Sequence, residues 1–396
     1  MDISPVNNEK SFKEDGKKKF YRKRWFKITL TILLILLIGG CAIGWKTGYI
    51  LNKISTTGGI FESLIKSIPG VSNELKGEKD GRINLLLLGM RGEGMEGGSL
   101  LADTIMVVSI KPQENKASIV SIPRDFYVTV PGTNSQQKIN AVYYYGEEKG
   151  RGKGLEDMKT IIGEISGQSI HYAVSINFKG FTELVDSLGG VQVHLDEQFT
   201  EPVQFMGIEA RCDDTTFTIP SGNYQEKPPV RRKNGTYYAN SRKFPLCFKK
   251  NAEGLECGGV FQLPAGDINL SGEQALCYVR SRATTSDFDR ARRQQEVIKQ
   301  IKEKALSIGT LTDFNKANAM LDSLGNNVRT DMKPWEMKRF FEVYQGISDP
   351  QIPQKVLENS EEGMLYVPEE TNGAGYILLP RGDTYDRIRE LFKSII

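Results

Sequence analysis

The chain has 396 residues, 39% of them hydrophobic and 26% charged, ordinary values for a folded protein long enough to build a core without stapling. Its net charge of +3 hides an uneven distribution, because nine Lys or Arg residues stand between Lys10 and Lys27 against only Glu14 and Asp15, and the rest of the chain is slightly acidic. A nucleic-acid-binding domain carries a basic surplus of its own, so that class of partner is excluded for everything after the basic run.

Ile28 to Trp45 then runs eighteen residues without a charge, bracketed by Lys27 and Lys46. As a helix it is about 27 Å long, close to the ~30 Å hydrocarbon core of a bilayer. Trp25 and Trp45 stand near its two ends, where amphipathic rings prefer the interface. The positive-inside rule places residues 1–27 in the cytoplasm as a basic tail, 28–45 as a single transmembrane helix, and the remainder on the extracellular face of a bacterial membrane. The alternative is a cleaved signal peptide, against which the long apolar stretch and the poor cleavage site Gly44-Trp45-Lys46 both weigh. Residues 46–80, broken by Gly58-Gly59, Pro69-Gly70 and Gly77, read as a stalk with one short helix around Ile60 to Ile68.

The folded domain, 81–396, opens on Ile83 to Leu88, a continuous apolar run closed by Gly89 that marks a strand buried on both faces. Further strands are predicted at Thr104–Ile110 and Ala117–Ile122. Leu155, Met158, Ile161, Ile162 and Ile165 recur at helical spacing, Ile170 to Ile176 alternates as a strand, Phe178 to Leu188 returns to helix, and Val191, Val193 and Leu195 alternate again. Interleaved strands and helices predict a layered α/β domain. The pattern breaks from about 196 to 262, a stretch with five prolines, three cysteines and the basic cluster Arg231-Arg232-Lys233, which reads as an insertion with hairpins of its own. A short helix from Ser271 to Leu276, a strand from Cys277 to Arg280, a long helix from about Asp287 to Ile308, a helix near Pro334–Tyr344 and a closing strand at Gly375–Leu379 complete the order.

Cys41 falls inside the apolar span, whereas Cys212, Cys247, Cys257 and Cys277 would face an oxidising exterior, where an even number implies disulfides in one of three pairings. The absence of a C-x-x-C speaks against zinc. The two histidines, His171 and His194, lie beside strand-like runs, and no G-x-S-x-G elbow supports a Ser-His-Asp triad. Gly92 to Gly97 matches G-x-G-x-x-G, but a dinucleotide fingerprint needs a helix to open at its last glycines, and Ser99 to Asp103 runs into another strand instead.

Arginines carry the strongest chemical signal. Arg280 and Arg282 flank Ser281 at the end of a predicted strand, which would point both guanidinium groups to one face. Arg290, Arg293, Gln294 and Val297 share one face of the long helix, so the two arginines are expected to point inward near its start. Guanidinium forks fit phosphate oxygens, and a helix N-terminus adds favourable potential. A salt-bridged helix face, with Asp287 and Asp289 as partners, is the plain alternative. Asp103 at a strand start, Arg124-Asp125 at a strand end and Lys138-Ile139-Asn140 add a carboxylate, an arginine–aspartate pair, a lysine and an amide.

Taken in order, Asn84 to Gly89, Asp103-Thr104, Ser121-Ile122-Pro123-Arg124-Asp125, Lys138-Ile139-Asn140-Ala141, Leu188 to Val191, Gly272 to Leu276, Tyr278 to Arg282 and Asp287 to Gln295 resemble the LytR–CpsA–Psr family of cell-wall glycopolymer ligases. The resemblance runs from about Arg82 through the Arg290 helix and more weakly to the C-terminus. It implies a three-layer α/β/α sandwich with a mixed central sheet behind one transmembrane helix. It also implies transfer of a glycopolymer from a polyprenyl-pyrophosphate carrier to a peptidoglycan sugar hydroxyl through a phosphodiester link. Arg124, Arg280, Arg282, Arg290 and Gln294 are the implied pyrophosphate ligands, with Lys138 and Arg293 added from their positions, and Asp103 is the implied Mg²⁺ ligand. Arg124, Asp125, Arg280, Arg282 and Asp287 are the candidate catalytic residues, Asp125 or Asp287 serving as base. Two departures stand out: Arg91 occupies a position where many members carry an aspartate, so the metal shell would draw on Glu93 or Glu96, be mostly water, or be lost, and the cysteine-bearing insertion would reshape acceptor access. The competing functions are a phosphohydrolase acting on the same linkage and a non-catalytic cell-wall binding protein.

Overall fold

In the computed structural model, which describes residues 73–92, 100–227, 233, 242–250, 255–282, 286–307, 324–347, 352–371 and 373–396, the first apolar run forms β1 (Ile83–Met90) at the centre of the molecule's principal sheet. β2 (Ala102–Lys111) and β3 (Lys116–Ser121) follow as antiparallel neighbours, with Leu87 opposite Met106 and Val108 opposite Ile119. On the other side β4 (Tyr172–Asn177) lies parallel to β1. The segments predicted as a transmembrane span and a stalk helix, together with Glu93, Glu96, Arg231 and Arg232, lie outside the described residues.

Consecutive side chains of β1 point to opposite faces, and both faces are covered. Leu86, Leu88 and Met90 pack with α1 (Val142–Lys149), α2 (Lys153–Ser166) and the C-terminal α7 (Asp386–Ser394) through Tyr143, Met158, Ile162 and Phe392. Ile83, Leu85, Met106 and Val108 pack on the other side with α6 (Pro334–Gln345) and with Ile298 of α5 (Asp287–Ser307). Two apolar faces under two helical layers explain why the strand reads as an unbroken apolar run. Two edge strands complete the sheet: β7 (Val328–Thr330), antiparallel to β4, and β8 (Gln354–Val356), parallel to β3. The six strands run β7-β4-β1-β2-β3-β8, a mixed α/β/α sandwich as expected.

A third cluster forms beside this sandwich. α3 (Phe178–Ser187) follows β4 directly, its start capped by Asn177, whose side chain accepts from Gly180 N–H at 2.8 Å. β5 (Val191–Leu195) and β6 (Gly266–Leu270) make a ribbon of their own, with Val193 opposite Ile268, and α4 (Gly272–Arg280) returns against α3. Val297 and Ile301 of α5 reach this cluster while Ile298 reaches the other, so one long helix ties both together.

The irregular segment grows between β5 and β6. Phe199–Glu201 pairs with Phe261–Leu263 at its neck, and Phe217–Lys227 pairs with Arg242–Lys249 as a long arm. Cys212–Cys247 staples the arm, and Cys257–Cys277 fastens the base of the segment to α4. The closing strand is shorter than expected, Leu379–Pro380 against Leu365–Tyr366.

At the far end of β1, His171 and Asn84 exchange backbone and ring contacts: His171 N–H donates to the Asn84 carbonyl, and Asn84 N–H donates to His171 Nδ1, both at 3.0 Å. Nδ1 must therefore stay unprotonated, and burial lowers the imidazole pKa. A base whose folded pKa is lowered leaves the unfolded chain to take the proton first, so its contribution is present above the ordinary value of about 6.5 and declines as pH falls below it. The midpoint of thermal unfolding is expected to drop more steeply from about pH 7.5 to about 5.5 in the wild type than in His171→Gln, read by calorimetry.

Candidate anion-binding site

The strand pairings place the ends of β1, β3, β4 and β8 and the starts of β2 and β7 along one edge: Gly89 stands opposite Thr104, Met106 opposite Ser121, Met90 opposite Asn177, and Ser121 opposite Val356. Crevices at the carboxyl ends of strands are where open α/β sheets collect ligands. The motifs that were separate in sequence meet here. Asp103 enters β2 at this edge, and Arg124 and Asp125 follow β3. Arg124 Nη1 donates to Asp103 Oδ1 at 2.9 Å, its Nε lies 3.5 Å from Asp125 Oδ2, and Lys138 Nζ donates to Asp125 Oδ1 at 2.8 Å. Backbone bonds hold the arrangement, since Asn140 N–H donates to the Arg124 carbonyl and Ile139 N–H to that of Phe126. Asp125 is 8% exposed and sits against Lys138 and Arg124, whereas the Asp103 side chain is 35% exposed.

A second cationic group stands at the same edge. Arg280 lies over the Phe178 ring, 4.5 Å from guanidinium carbon to ring centroid, and 5.3 Å from the ring centroid of Phe205. Arg91, the residue after β1, lies over Phe178 at 5.9 Å. Because Phe178 opens α3 at the end of β4, it is the platform that brings Arg280 to the strand ends. Between the two arginines sits Glu256, whose carboxylate accepts from Arg91 Nη2 at 2.9 Å and Arg280 Nη2 at 2.6 Å.

The expected strand at Cys277–Arg280 is a helix. Ser271 and Gln274 form a capping box, and Ala275, Tyr278 and Val279 carry the helical spacing through to Arg280. Arg280 and Arg282 therefore do not alternate on a strand face; they straddle a helix end. The last carbonyls of a helix have no partners within it, and here side chains supply them. Ser281 Oγ donates to Cys277 O, Arg293 Nε to Tyr278 O at 3.1 Å, Gln294 Nε2 to Val279 O at 3.2 Å, Gln204 Nε2 to Arg280 O at 2.7 Å, and Arg293 Nη2 to Ser281 O. The exit is fixed as well, because Arg282 N–H donates to Glu201 Oε2 and Gln204 Oε1.

Arg290 and Arg293 do point inward, at 9% and 8% exposure. Arg293 lies over Phe199 and Tyr278 and donates to the carbonyls of Tyr278 and Ser281 at the end of α4. Burial lowers its pKa from the ordinary arginine value, opposed by Tyr278, Asp289, Glu201 and Glu296. Gln294 is likewise turned to α4. Gln295, the last residue of the Asp287–Gln295 motif, donates to Ser121 Oγ at 2.7 Å and Lys355 O at 3.0 Å, which pins α5 at that point to the ends of β3 and β8. Asp287 opens α5, and its side chain lies outside the described residues. Phe178, Glu201, Gln204 and Glu256 escaped sequence reasoning; the last three sit in the irregular segment, where no periodicity marks which side chains turn inward.

Among the described residues no group of three or more His, Cys, Asp or Glu is arranged to hold a metal ion. The accessible carboxylate of Asp103 suits a hard cation that keeps most of its water and takes one or two carboxylates beside substrate phosphates. Among the described residues, too, no helix is long and apolar enough to cross a membrane.

Loss of the Arg293 guanidinium would leave the carbonyls of Tyr278 and Ser281 without these donors. Arg293→Ala is expected to lower unfolding free energy by about 2–4 kcal/mol, and Arg293→Lys to recover only part, in equilibrium urea denaturation.

The profile of the LytR_cpsA_psr family matches residues 51–380. A polyisoprenyl-teichoic acid–peptidoglycan teichoic acid transferase TagU from Oceanobacillus iheyensis is 28% identical over 344 residues, covering 83% of this chain and 84% of the relative. A protein of the same name from Bacillus mycoides is 24% identical over 342 residues, covering 82% and 86%. Among solved structures, TagT bound to LIIa-WTA superposes with a TM-score of 0.53 at 20% identity, over 84% of this chain and 95% of that one. A transcriptional regulator from Enterococcus faecalis does so with a TM-score of 0.53 at 23% identity, over 81% and 90%. At these identities the two structures speak for the fold.

Proposed function

The chain belongs to the LytR–CpsA–Psr family, and from that premise we propose that it is a phosphotransferase that moves a glycopolymer from a polyprenyl-pyrophosphate carrier to a sugar hydroxyl of peptidoglycan. The observation that carries the proposal is the presence at one sheet edge of Arg124, beside Asp103 at the start of β2, and Arg280, on the Phe178 ring after the end of β4, from segments far apart in sequence. Support for the donor and acceptor comes from relatives named as teichoic acid transferases acting between polyisoprenyl-teichoic acid and peptidoglycan. The apolar segment 28–45 would anchor the enzyme beside its lipid-borne donor.

In the proposed reaction the acceptor oxygen attacks the phosphorus that bears the glycan. A new phosphodiester bond forms, the bond to the bridging oxygen breaks, and polyprenyl phosphate departs with that oxygen. Such chemistry rests on alignment and charge neutralisation more than on covalent assistance. Arg124 and Arg280, each with a fixed counterion or ring behind it, would receive the non-bridging oxygens, with Arg282 and Arg290 completing the cationic edge. Lys138 and Arg124 are set by the buried Asp125, which therefore acts as a positioning group; Asp287 remains the candidate to take the hydroxyl proton. Mg²⁺ held by Asp103 would supply further neutralisation of the paired phosphates.

The test is to incubate the full-length protein in detergent with a short-chain polyprenyl-pyrophosphate glycan, Mg²⁺ and a peptidoglycan oligosaccharide, followed by mass spectrometry. A phosphodiester-linked adduct is expected. Free phosphorylated glycan would replace the transferase with a hydrolase, and donor binding without turnover would leave a binding protein. Arg124→Ala and Arg280→Ala are each expected to reduce kcat/KM by about 10²–10³-fold, a loss in the range seen when a preorganised charge-stabilising donor is removed, with the unfolding midpoint little changed. Chelation by EDTA and the substitution Asp103→Ala are expected to lower turnover in parallel, with added Mg²⁺ restoring only the chelated wild type.

A further inference from the structure

We propose that Glu256 is an internal competitor for the donor: a carboxylate, carried by the irregular segment and fastened by a disulfide, that sits where a phosphate oxygen would lie between Arg91 and Arg280. The inference rests on the reading of that arginine pair as part of the pyrophosphate seat.

Three observations converge on it. The first is the chemistry of the contact. Glu256 Oε2 accepts from Arg280 Nη2 at 2.6 Å and from Arg91 Nη2 at 3.0 Å, while Oε1 accepts from the same Arg91 nitrogen at 2.9 Å. A carboxylate bridging two guanidinium groups uses the donors that would otherwise grip a phosphate. The second is exposure. The Glu256 side chain is 44% exposed against 16% for Arg280 and 26% for Arg91, so the carboxylate approaches the seat from the solvent side and can leave it without opening the core. The third is the tether. Cys257 is bonded to Cys277, three residues before Arg280 on α4, and sits at φ 55°, a left-handed conformation that non-glycine residues rarely take. The crosslink holds the backbone beside Glu256 against the helix that carries its partner.

The consequence follows from mass action. While Glu256 is seated the cationic pair is neutralised in part, and an incoming pyrophosphate must displace it. The apparent affinity is reduced by the fraction of time the seat is free. Glu256 arrives from 165 residues away along the chain, and the end of β1 supplies the cation Arg91. A donor with two phosphates, which can engage several guanidinium groups at once, outcompetes the glutamate; a monophosphate product does so less well. That asymmetry favours product release.

The test uses inorganic pyrophosphate and inorganic phosphate as probes, titrated into the full-length protein by calorimetry, with no need for a glycan donor. Glu256→Gln keeps the shape and removes the charge. It is expected to bind pyrophosphate about tenfold more tightly than the wild type, the size of one charge-assisted contact, and to narrow the preference for pyrophosphate over phosphate. Cys257→Ser, which releases the tether, is expected to tighten binding in the same direction by a smaller factor. Unchanged or weaker binding by Glu256→Gln would overturn the inference and make Glu256 a positioning residue for Arg280, as would failure of both proteins to bind pyrophosphate. Tighter binding by Glu256→Gln in a protein that transfers no glycan would uphold the competitor and overturn the transferase reading instead.

Discussion

The architecture of the cationic edge depends on how the end of one short helix satisfies its backbone. The C-terminal carbonyls of α4 face inward, where water cannot serve them, and an orphaned buried carbonyl costs as much as a lost hydrogen bond. Arg293 and Gln294 from α5 and Gln204 from the irregular segment supply the donors, and Ser281, just past the helix, adds its N–H and hydroxyl to Cys277 O. Because those donors come from three different segments, the corner at Arg280–Arg282 is fixed in all directions. Arg280 is thereby presented to the strand ends on the Phe178 ring without long lever arms of its own. Remove the cap and the helix end, the arginine and the insertion neck lose their common anchor together.

The second constraint is charge. Several guanidinium groups at one edge repel one another unless anions stand among them. This chain provides one class of counterion on the strands, Asp103 and Asp125 beside Arg124 and Lys138, and another from the irregular segment, Glu256 beside Arg91 and Arg280. The two classes differ in burial. Asp125 is buried and held by a lysine and an arginine, so it belongs to the scaffold of the site. Glu256 is half exposed on a short turn and has a substrate-like approach.

The irregular segment thus has work beyond decoration. Its neck contributes Glu201 and Gln204 to the Arg280–Arg282 corner, Phe205 to the platform under Arg280, and Glu256 to the seat. Two disulfides secure it, one within its arm and one to α4. A segment with few regular hydrogen bonds gains order from such crosslinks by restricting the alternatives open to the unfolded chain.

The sequence by itself determined the central strands, the long α5 helix, the inward face that holds Arg290 and Arg293, and the order of motifs that marks the family. Those are local properties: an apolar run buried on two faces, a 3.6-residue spacing, a carboxylate or arginine at a strand end. Where two local signals conflicted, as at Cys277–Arg280, the β-branched and aromatic residues read as strand. The capping box at Ser271 and the spacing of Ala275, Tyr278 and Val279 made a helix, since a short apolar stretch is ambiguous without its partners. Only the tertiary structure decided which arginines face the edge and which serve the scaffold. Arg293 and Arg280 are equally cationic in sequence, yet one is turned to carbonyls of α4 and the other to a carboxylate and a ring. The place of Arg280 is set by Gln204, Phe178 and Glu256, with Glu201 at the Arg282 exit, residues brought in from outside α4 and α5. No periodicity encodes such partners, because a hydrogen bond or ion pair between distant segments is a property of the packed chain and leaves no mark on the spacing of either.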